Sequence, residues 1–212
     1  MPLIQEKKFC DGIEVGLWHI TETYQTLLEL LSPSPEDFAV IQSFKHPGRQ
    51  KQWLGTRLLI KTMTGQNDLR ICYDANGKPY LPSDCCNISL SHSGVWAAAA
   101  CSKRYRVGID VEQIRSRILK VKERFLREDE LMAVSEPFQL EKLHIYWGGK
   151  EALFKIFGSP AIDFRTDIFI HSFDYLCNPD QTCQATLSHE GIITHHTLHY
   201  RIFDGWMLVL AY

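Results

Sequence analysis

Gly108-Ile109-Asp110-Val111-Glu112 is the stretch on which the reading of this chain turns. In a strand, successive side chains point to opposite faces. Ile109 and Val111 then enter a core, while Asp110 and Glu112 project together from the other side. Gly108 has no side chain and allows another backbone to come close just before them. Two like charges held side by side repel unless a proton or a cation relieves them. The stretch is therefore either a metal-binding strand or a strand with one solvated polar face, and Asp-x-Glu often occurs by chance.

Further along stands Trp147-Gly148-Gly149-Lys150-Glu151-Ala152-Leu153-Phe154-Lys155. Leu140, Leu143, Trp147, Glu151 and Phe154 recur at the spacing of one helical face. Glu151 sits within that apolar stripe, where a carboxylate is costly unless paired, protonated or metal-bound. The plain alternative is an ion pair with Lys155 one turn on, worth roughly 0.2–0.5 kcal/mol. Lys150 is the neighbour in sequence, and adjacent residues do not face each other on a helix. Each glycine of Gly148-Gly149 costs ~1 kcal/mol relative to alanine inside a helix. Either something needs close access to that backbone, or the helix begins only after it. If this helix meets the strand, the carboxylates of Asp110, Glu112 and Glu151 converge, and a divalent cation is the natural reason. Mg²⁺ is typically held by one or two protein carboxylates while keeping sites for water and phosphate.

The whole chain sets the frame. Its 212 residues fit one domain or two small ones, and can bury a core without staples. A hydrophobic content of 45% and a net charge of −2 describe an ordinary globular protein, and argue against nucleic-acid or membrane-surface binding. The start shows no secretory signal, and the apolar stretches fall short of the ~20 residues of a membrane span. Seven cysteines without a Cys-x-x-Cys pair point to reduced packing thiols and a cytoplasmic location.

Alternation predicts a strand over 12–20, and periodicity a short helix over 21–31. Two helices follow near 35–46 and 49–64, with Pro47-Gly48 separating them, and Asn76-Gly77 and Pro79 mark a turn. Strands are expected from Asn87, over 95–101 and over 106–112. A helix over 117–127 would place Ile118, Val121 and Phe125 on one face, and another runs over 138–157. The tail returns to strands at 168–170, 182–187, 192–200 and 206–212. The order is α+β and points to two similar α/β halves, 1–104 and 105–212, the second carrying the acids. Residues 94–100 weakly echo 205–211, too weakly to establish a repeat.

Together these blocks resemble the 4′-phosphopantetheinyl transferases, in the longer Sfp-type branch. That family pairs Gly-Ile/Val-Asp-Ile/Val-Glu with a later Trp-x-x-Lys-Glu-Ala/Ser-x-x-Lys. Asn87-Ile88-Ser89-Leu90-Ser91-His92-Ser93-Gly94 looks like its Ser-His-Ser block, and Asn76-Gly77-Lys78-Pro79-Tyr80 like its Gly-Lys-Pro segment. Trp53-Leu54-Gly55-Thr56-Arg57 resembles a further block. Any one block is weak, but the ordered set is strong. The resemblance implies a monomer of two pseudo-twofold halves with the active site in the cleft between them. It implies an enzyme of the holo-acyl-carrier-protein synthase type. Such an enzyme moves the phosphopantetheine arm of coenzyme A onto a serine of an apo acyl or peptidyl carrier protein and releases 3′,5′-ADP.

By the same resemblance Asp110, Glu112 and Glu151 form the Mg²⁺ site. Glu151 is also the candidate base for the carrier serine, and Lys155 a fixed cation for a phosphate oxygen. Ser91 and His92 match contacts to coenzyme A phosphates, and Lys78 a residue near the nucleotide. Arg57 falls in a basic run with Arg49, Lys51 and Lys61, which serves either the 3′-phosphate or the wet face of a helix. The lysines usual after Ser34-Pro35-Glu36 are missing, so that contact is absent or supplied by Arg49 or Lys51. Gly148-Gly149 replaces bulkier residues.

Arg115, Arg117, Lys120, Lys122, Arg124 and Arg127 follow the acid strand and would steer an acidic carrier, or simply form a solvated face. Leu187-Ser188-His189-Glu190-Gly191 imitates the Ser-His block without the segments that should follow it. His195, His196 and His199 lack further ligands at zinc spacing. Two other readings remain. One is a Mg²⁺-dependent phosphohydrolase using the same acids; the other is a carrier-binding module that has lost transfer.

Overall fold

The computed structural model describes residues 12–66, 70–82, 85–134, 137–177 and 180–212, together with the backbone of 3–9. Cys10 lies outside the described residues. The chain divides into two compact units, Met1–Tyr73 with Pro79–Tyr105, and Asp74–Lys78 with Arg106–Tyr212. Helix and sheet are mixed in both, as an α+β fold requires.

The first unit runs β1 (Leu3–Phe9), β2 (Ile13–His19), α1 (Tyr24–Leu31), α2 (Pro35–Ser43), α3 (Pro47–Thr64), β3 (Cys72–Tyr73), β4 (Pro79–Tyr80), β5 (Asn87–Ser93) and β6 (Trp96–Ser102). Its main sheet has the antiparallel order β1-β2-β6-β5. Local chemistry starts the helices. The Thr23 and Ser34 side chains accept the Thr26 and Asp37 amides at 3.1 Å, and so cap α1 and α2. The two expected helices are α2 and α3, but the break between them falls at 44–46, and Pro47-Gly48 opens α3. A first-turn proline lacks an N–H that would have no partner in any case. Along α3, Leu54, Leu58, Leu59 and Ile60 are buried in one core with Trp18, Ala97 and Ala99. Every residue of β6 is buried, in keeping with an alanine-rich run flanked by strands on both sides.

The second unit runs β7 (Gly108–Gln113), α4 (Glu128–Ala133), α5 (Gln139–Phe157), β8 (Ile168–Ile170), β9 (Gln181–His189), β10 (Ile192–Phe203) and β11 (Trp206–Ala211). The sheet order is β7-β11-β10-β9-β8, antiparallel throughout. α5 packs on this sheet and touches β7, β11, β10 and β8. Gly148 and Gly149 lie inside α5. A Cβ on Gly148 would strike Met207, and one on Gly149 would come within 2.7 Å of Ile170 and Leu198. Of the two readings offered by the sequence, close access to the helix backbone is the one realised.

The expected helix over 117–127 is instead two 3₁₀ turns, Ser116–Lys120 and Lys122–Arg124. Val121, at φ −120° and ψ −2°, leaves helical geometry between them. Bonds close over three residues, from the Val121 amide to Ile118 O at 3.1 Å and from the Arg124 amide to Val121 O at 2.9 Å. Ile118 and Phe125 are still buried, so the apolar spacing had a real cause. The sequence reading passed over β1, whose central Gln5-Glu6-Lys7-Lys8 run shows no alternation, and α4, which is only six residues long. No helix among the described residues is long and apolar enough to cross a membrane.

Candidate active site

β7 and α5 supply the acids. Gly108, Asp110 and Glu112 share the face of β7 turned toward α5, because a Cβ on Gly108 would collide with Ala152 O. The missing side chain thus lets strand backbone meet helix backbone one residue from Glu151. Ile109 and Val111 are buried, as alternation requires.

Asp110 is 5% exposed, and its Oδ1 accepts the Lys155 ammonium at 2.8 Å. Lys155 also donates to Ile109 O at 2.7 Å. This pair stands in place of the alternative ion pair between Glu151 and Lys155, because the lysine reaches across to the strand. Burial pushes the Glu151 carboxyl up to about 7, Asp110 and then Glu112 add to the rise, and Lys155 opposes it. Glu112 is raised by burial first and by Asp110 second, while Arg117, Lys155 and a hydrogen bond from Trp147 hold it back. The three acids therefore stand in one another's field, which a single lysine only partly relieves.

No three His, Cys, Asp or Glu side chains among the described residues are gathered into a ready-made ligand cage. In donor chemistry the acids fit a divalent cation. Carboxylate oxygens are hard ligands, their mutual repulsion is only partly relieved, and Mg²⁺ needs only one or two of them at a time. His195, His196 and His199 form no such cluster among the described residues either. His189 of the imitation Ser-His block bonds Asp167 at 2.7 Å.

Other expected residues belong to the first unit. Arg49 reaches His92, with Nη1 at 3.1 Å from Nδ1. Ser91, next to His92 on β5, is 8% exposed. Arg57 is buried. Its guanidinium lies 3.4 Å from the Trp53 ring centre and donates to the Tyr73 hydroxyl at 2.5 Å. Burial pulls its pKa down, and the tyrosine works against that. Arg49 and Arg57 line a cavity of about 990 Å³ together with Lys61, Arg70, Trp53 and Tyr73. Lys51 does not line it. Lys78, in the second unit, donates to Ile156 O at 2.6 Å in the last turn of α5, where a cation is favoured.

One pairing escaped the sequence reading. Lys150 is fully buried, and its ammonium lies 2.7 Å from Glu130 of α4, whose side chain is equally buried. Glu130 stands in the acidic run Glu128-Asp129-Glu130. Its available signal was an acid at the third position of a helix, where Glu130 accepts the Arg127 amide at 3.0 Å. Trp147 packs against Phe125 and Phe164, and Phe154 packs against Phe164 as well. These rings wall the stripe that holds Glu151.

Residues 106–203, the segment that contains this acid site, match the model of the 4′-phosphopantetheinyl transferase superfamily. The chain is 36% identical over 91 residues to 4′-phosphopantetheinyl transferase psf-1 of Bacillus pumilus, covering 40% of this chain and 38% of that protein. It is 33% identical over 85 residues to 4′-phosphopantetheinyl transferase gsp of Aneurinibacillus migulanus, covering 39% and 35%. To 4′-phosphopantetheinyl transferase Sfp of Bacillus subtilis (strain 168) it is 26% identical over 132 residues, 58% of each. The chain thus spans between 35% and 58% of the length of these relatives. Over residues 106–203 it is similar to the 4′-phosphopantetheinyl transferase superfamily, and these relatives are of the Sfp type.

Proposed function

We propose that this chain transfers the phosphopantetheine arm of coenzyme A to a serine of an apo acyl or peptidyl carrier protein and releases 3′,5′-ADP. The observation that carries the reading is the set of three acids and Lys155 held in one field where α5 meets β7. In this reading Asp110, Glu112 and Glu151 would hold Mg²⁺, which when bound would offset their charge and the charge developing on the 3′,5′-ADP leaving group. Glu151 takes the serine proton, directly or through water. The serine oxygen bonds to the phosphorus that bears the pantetheine, and the bond from that phosphorus to the bridging oxygen breaks. Lys155 serves as the cation for a phosphate oxygen.

The nucleotide end would use the arginine-lined cavity of the first unit. Arg49 and Arg57 stand in for the absent lysines, the Trp53 and Tyr73 rings offer stacking surface, and Ser91, His92 and Lys78 bind phosphate or nucleotide. The halves 1–104 and 105–212, a monomeric state and a cytoplasmic setting belong to the same proposal. Arg115, Arg117, Lys120 and Arg124 are exposed on and beside the 3₁₀ turns, and would attract an acidic carrier.

Mass spectrometry of several apo carriers incubated with the protein, coenzyme A and Mg²⁺ tests the reading. A gain of one phosphopantetheine arm is expected, and Glu151→Gln should cut turnover by about 10²–10⁴ with little change in melting temperature. No gain on any carrier, from folded protein that binds Mg²⁺, would reject transfer. Nucleotide release without a carrier would favour a phosphohydrolase instead.

A further inference from the structure

A buried ion pair is an odd choice for packing. Removing two charges from water costs several kcal/mol per ion by general experience, and a well-packed apolar pair of the same volume often serves stability equally well or better. The pair of Glu130 and Lys150 is therefore more than filler. The three donors of Lys150 meet Glu130 Oε2, Phe164 O and Ile168 O, each at 2.7 Å. Glu130 Oε2 also accepts the Arg127 amide at 3.0 Å, and Oε1 accepts the Ile170 amide at 2.9 Å. Both side chains are 0% exposed. One ion pair thus joins α5, the start of α4, the chain at Phe164 and strand β8.

We propose that the Glu130–Lys150 pair is a positioning device that sets the rotation of α5 and thereby aims Glu151 at Asp110 and Glu112. The proposal rests on the reading of Glu151 as an active-site carboxylate. Successive residues of an α-helix are turned by about 100°. Lys150 pins α5 to α4 and β8. The contact of Ala152 with Gly108 pins it to β7. Glu151 lies between these two anchors, so a turn of the helix about its axis would break one of them before the carboxylate could swing away. A second route runs through Phe164. Lys150 holds its carbonyl, and its ring packs on Trp147 and Phe154. Trp147 in turn donates to Glu112. Losing the pair would loosen both Glu151 and the partner of Glu112.

The test separates aiming from mere stability. Lys150→Met keeps the bulk of the side chain, and Glu130→Gln keeps its shape should the first variant fail to fold. Leu187→Ala opens a cavity in β9 opposite Ile168 without removing any donor or acceptor of the pair, and is the control for lost stability. Mg²⁺ affinity is read by calorimetry, and transfer by kcat and by KM for coenzyme A, all well below each variant's melting midpoint. Outer partners of a metal ligand typically change affinity by about 10–100-fold. The expected result is a weakening of that size in Mg²⁺ affinity and in kcat for Lys150→Met, with Glu130→Gln moving the same way. KM for coenzyme A should stay within about threefold, while Leu187→Ala loses stability alone.

Native Mg²⁺ affinity and kcat in folded Lys150→Met or Glu130→Gln would overturn the proposal, as would equal losses in Leu187→Ala. If the unaltered protein binds Mg²⁺ but modifies no carrier, the transfer reading falls while calorimetry still decides the positioning role. If the unaltered protein binds no Mg²⁺, the positioning role falls too.

Discussion

Each unit lays one long helix on an antiparallel sheet and buries a cation on that helix, but the two treat the cation differently. On α3, Arg57 is bonded to neutral groups, namely the Trp53 ring, Trp53 O and the Tyr73 hydroxyl. On α5, Lys150 is bonded to a carboxylate and two carbonyls, and its donors are used up. A buried cation matched by a carboxylate has its charge cancelled and acts as a brace. One held by aromatic and neutral groups keeps its charge, and Arg57 lines a cavity with Arg49, Lys61 and Arg70 and also with Glu36 and Asp37, the last of which acts on it through its charge. The helix contacts differ in the same sense. Under α3, a Cβ on Gly16 would meet flexible side-chain atoms of Met63 and Leu59, whereas under α5 a Cβ on Gly108 would meet backbone oxygen. The acid site is built on a rigid contact of backbone with backbone.

The largest effect should come from that contact. Gly108→Ala is expected to cost on the order of 3 kcal/mol and to lower transfer, because the helix oxygen cannot yield by a side-chain rotation. Gly16→Ala should cost less than half as much, since the Met63 tip can move. Urea unfolding of both variants checks this, and equal losses would erase the distinction.

Next in size is Arg57→Gln, which should raise KM for coenzyme A by about tenfold, or about 1.4 kcal/mol, with kcat nearly unchanged. The comparison would fail if KM stayed level, because the Arg57 charge would then serve the fold, as that of Lys150 does.

The smallest effect concerns His144 on α5. Its Nε2 accepts the Arg115 amide at 3.1 Å, so the proton sits on Nδ1 and goes to Leu140 O at 2.8 Å. Burial pulls its pKa below the ordinary 6.5. The folded state then binds fewer protons than the unfolded state between the folded pKa and 6.5. Stability from this group is full above pH 6.5 and is lost as pH falls through that window. Urea midpoints at pH 7 and pH 5 should differ in the unaltered protein and differ less in His144→Gln. An unchanged difference would remove His144 as the cause.

Much of this could be read from residue order. Alternation in 108–112 placed Ile109 and Val111 in a core and the acids opposite, and the stripe through Leu143 and Trp147 foretold α5. The misreadings have physical causes. The spacing of Ile118, Val121 and Phe125 is the same for a helix and for successive tight turns that bury the same side. Pro47-Gly48 reads as a break, but proline breaks a helix only when it is not in the first turn. The partners of charged groups were the hardest to see. Helical spacing offered Lys155 to Glu151 one turn away, yet it meets Asp110, and Lys150 meets Glu130 from another helix.

What sequence alone could determine was therefore local and periodic: which residues alternate, which share a helical face, and which blocks stand in a known family order. Those properties depend on backbone repeats of two and 3.6 residues, which the order of side chains displays directly. The tertiary structure decided which charges meet. An ion pair depends on distance through space, and it took the close approach of α5 to β7 at Gly108 to set Glu151 beside Asp110 and Glu112 and to turn Lys155 toward the strand.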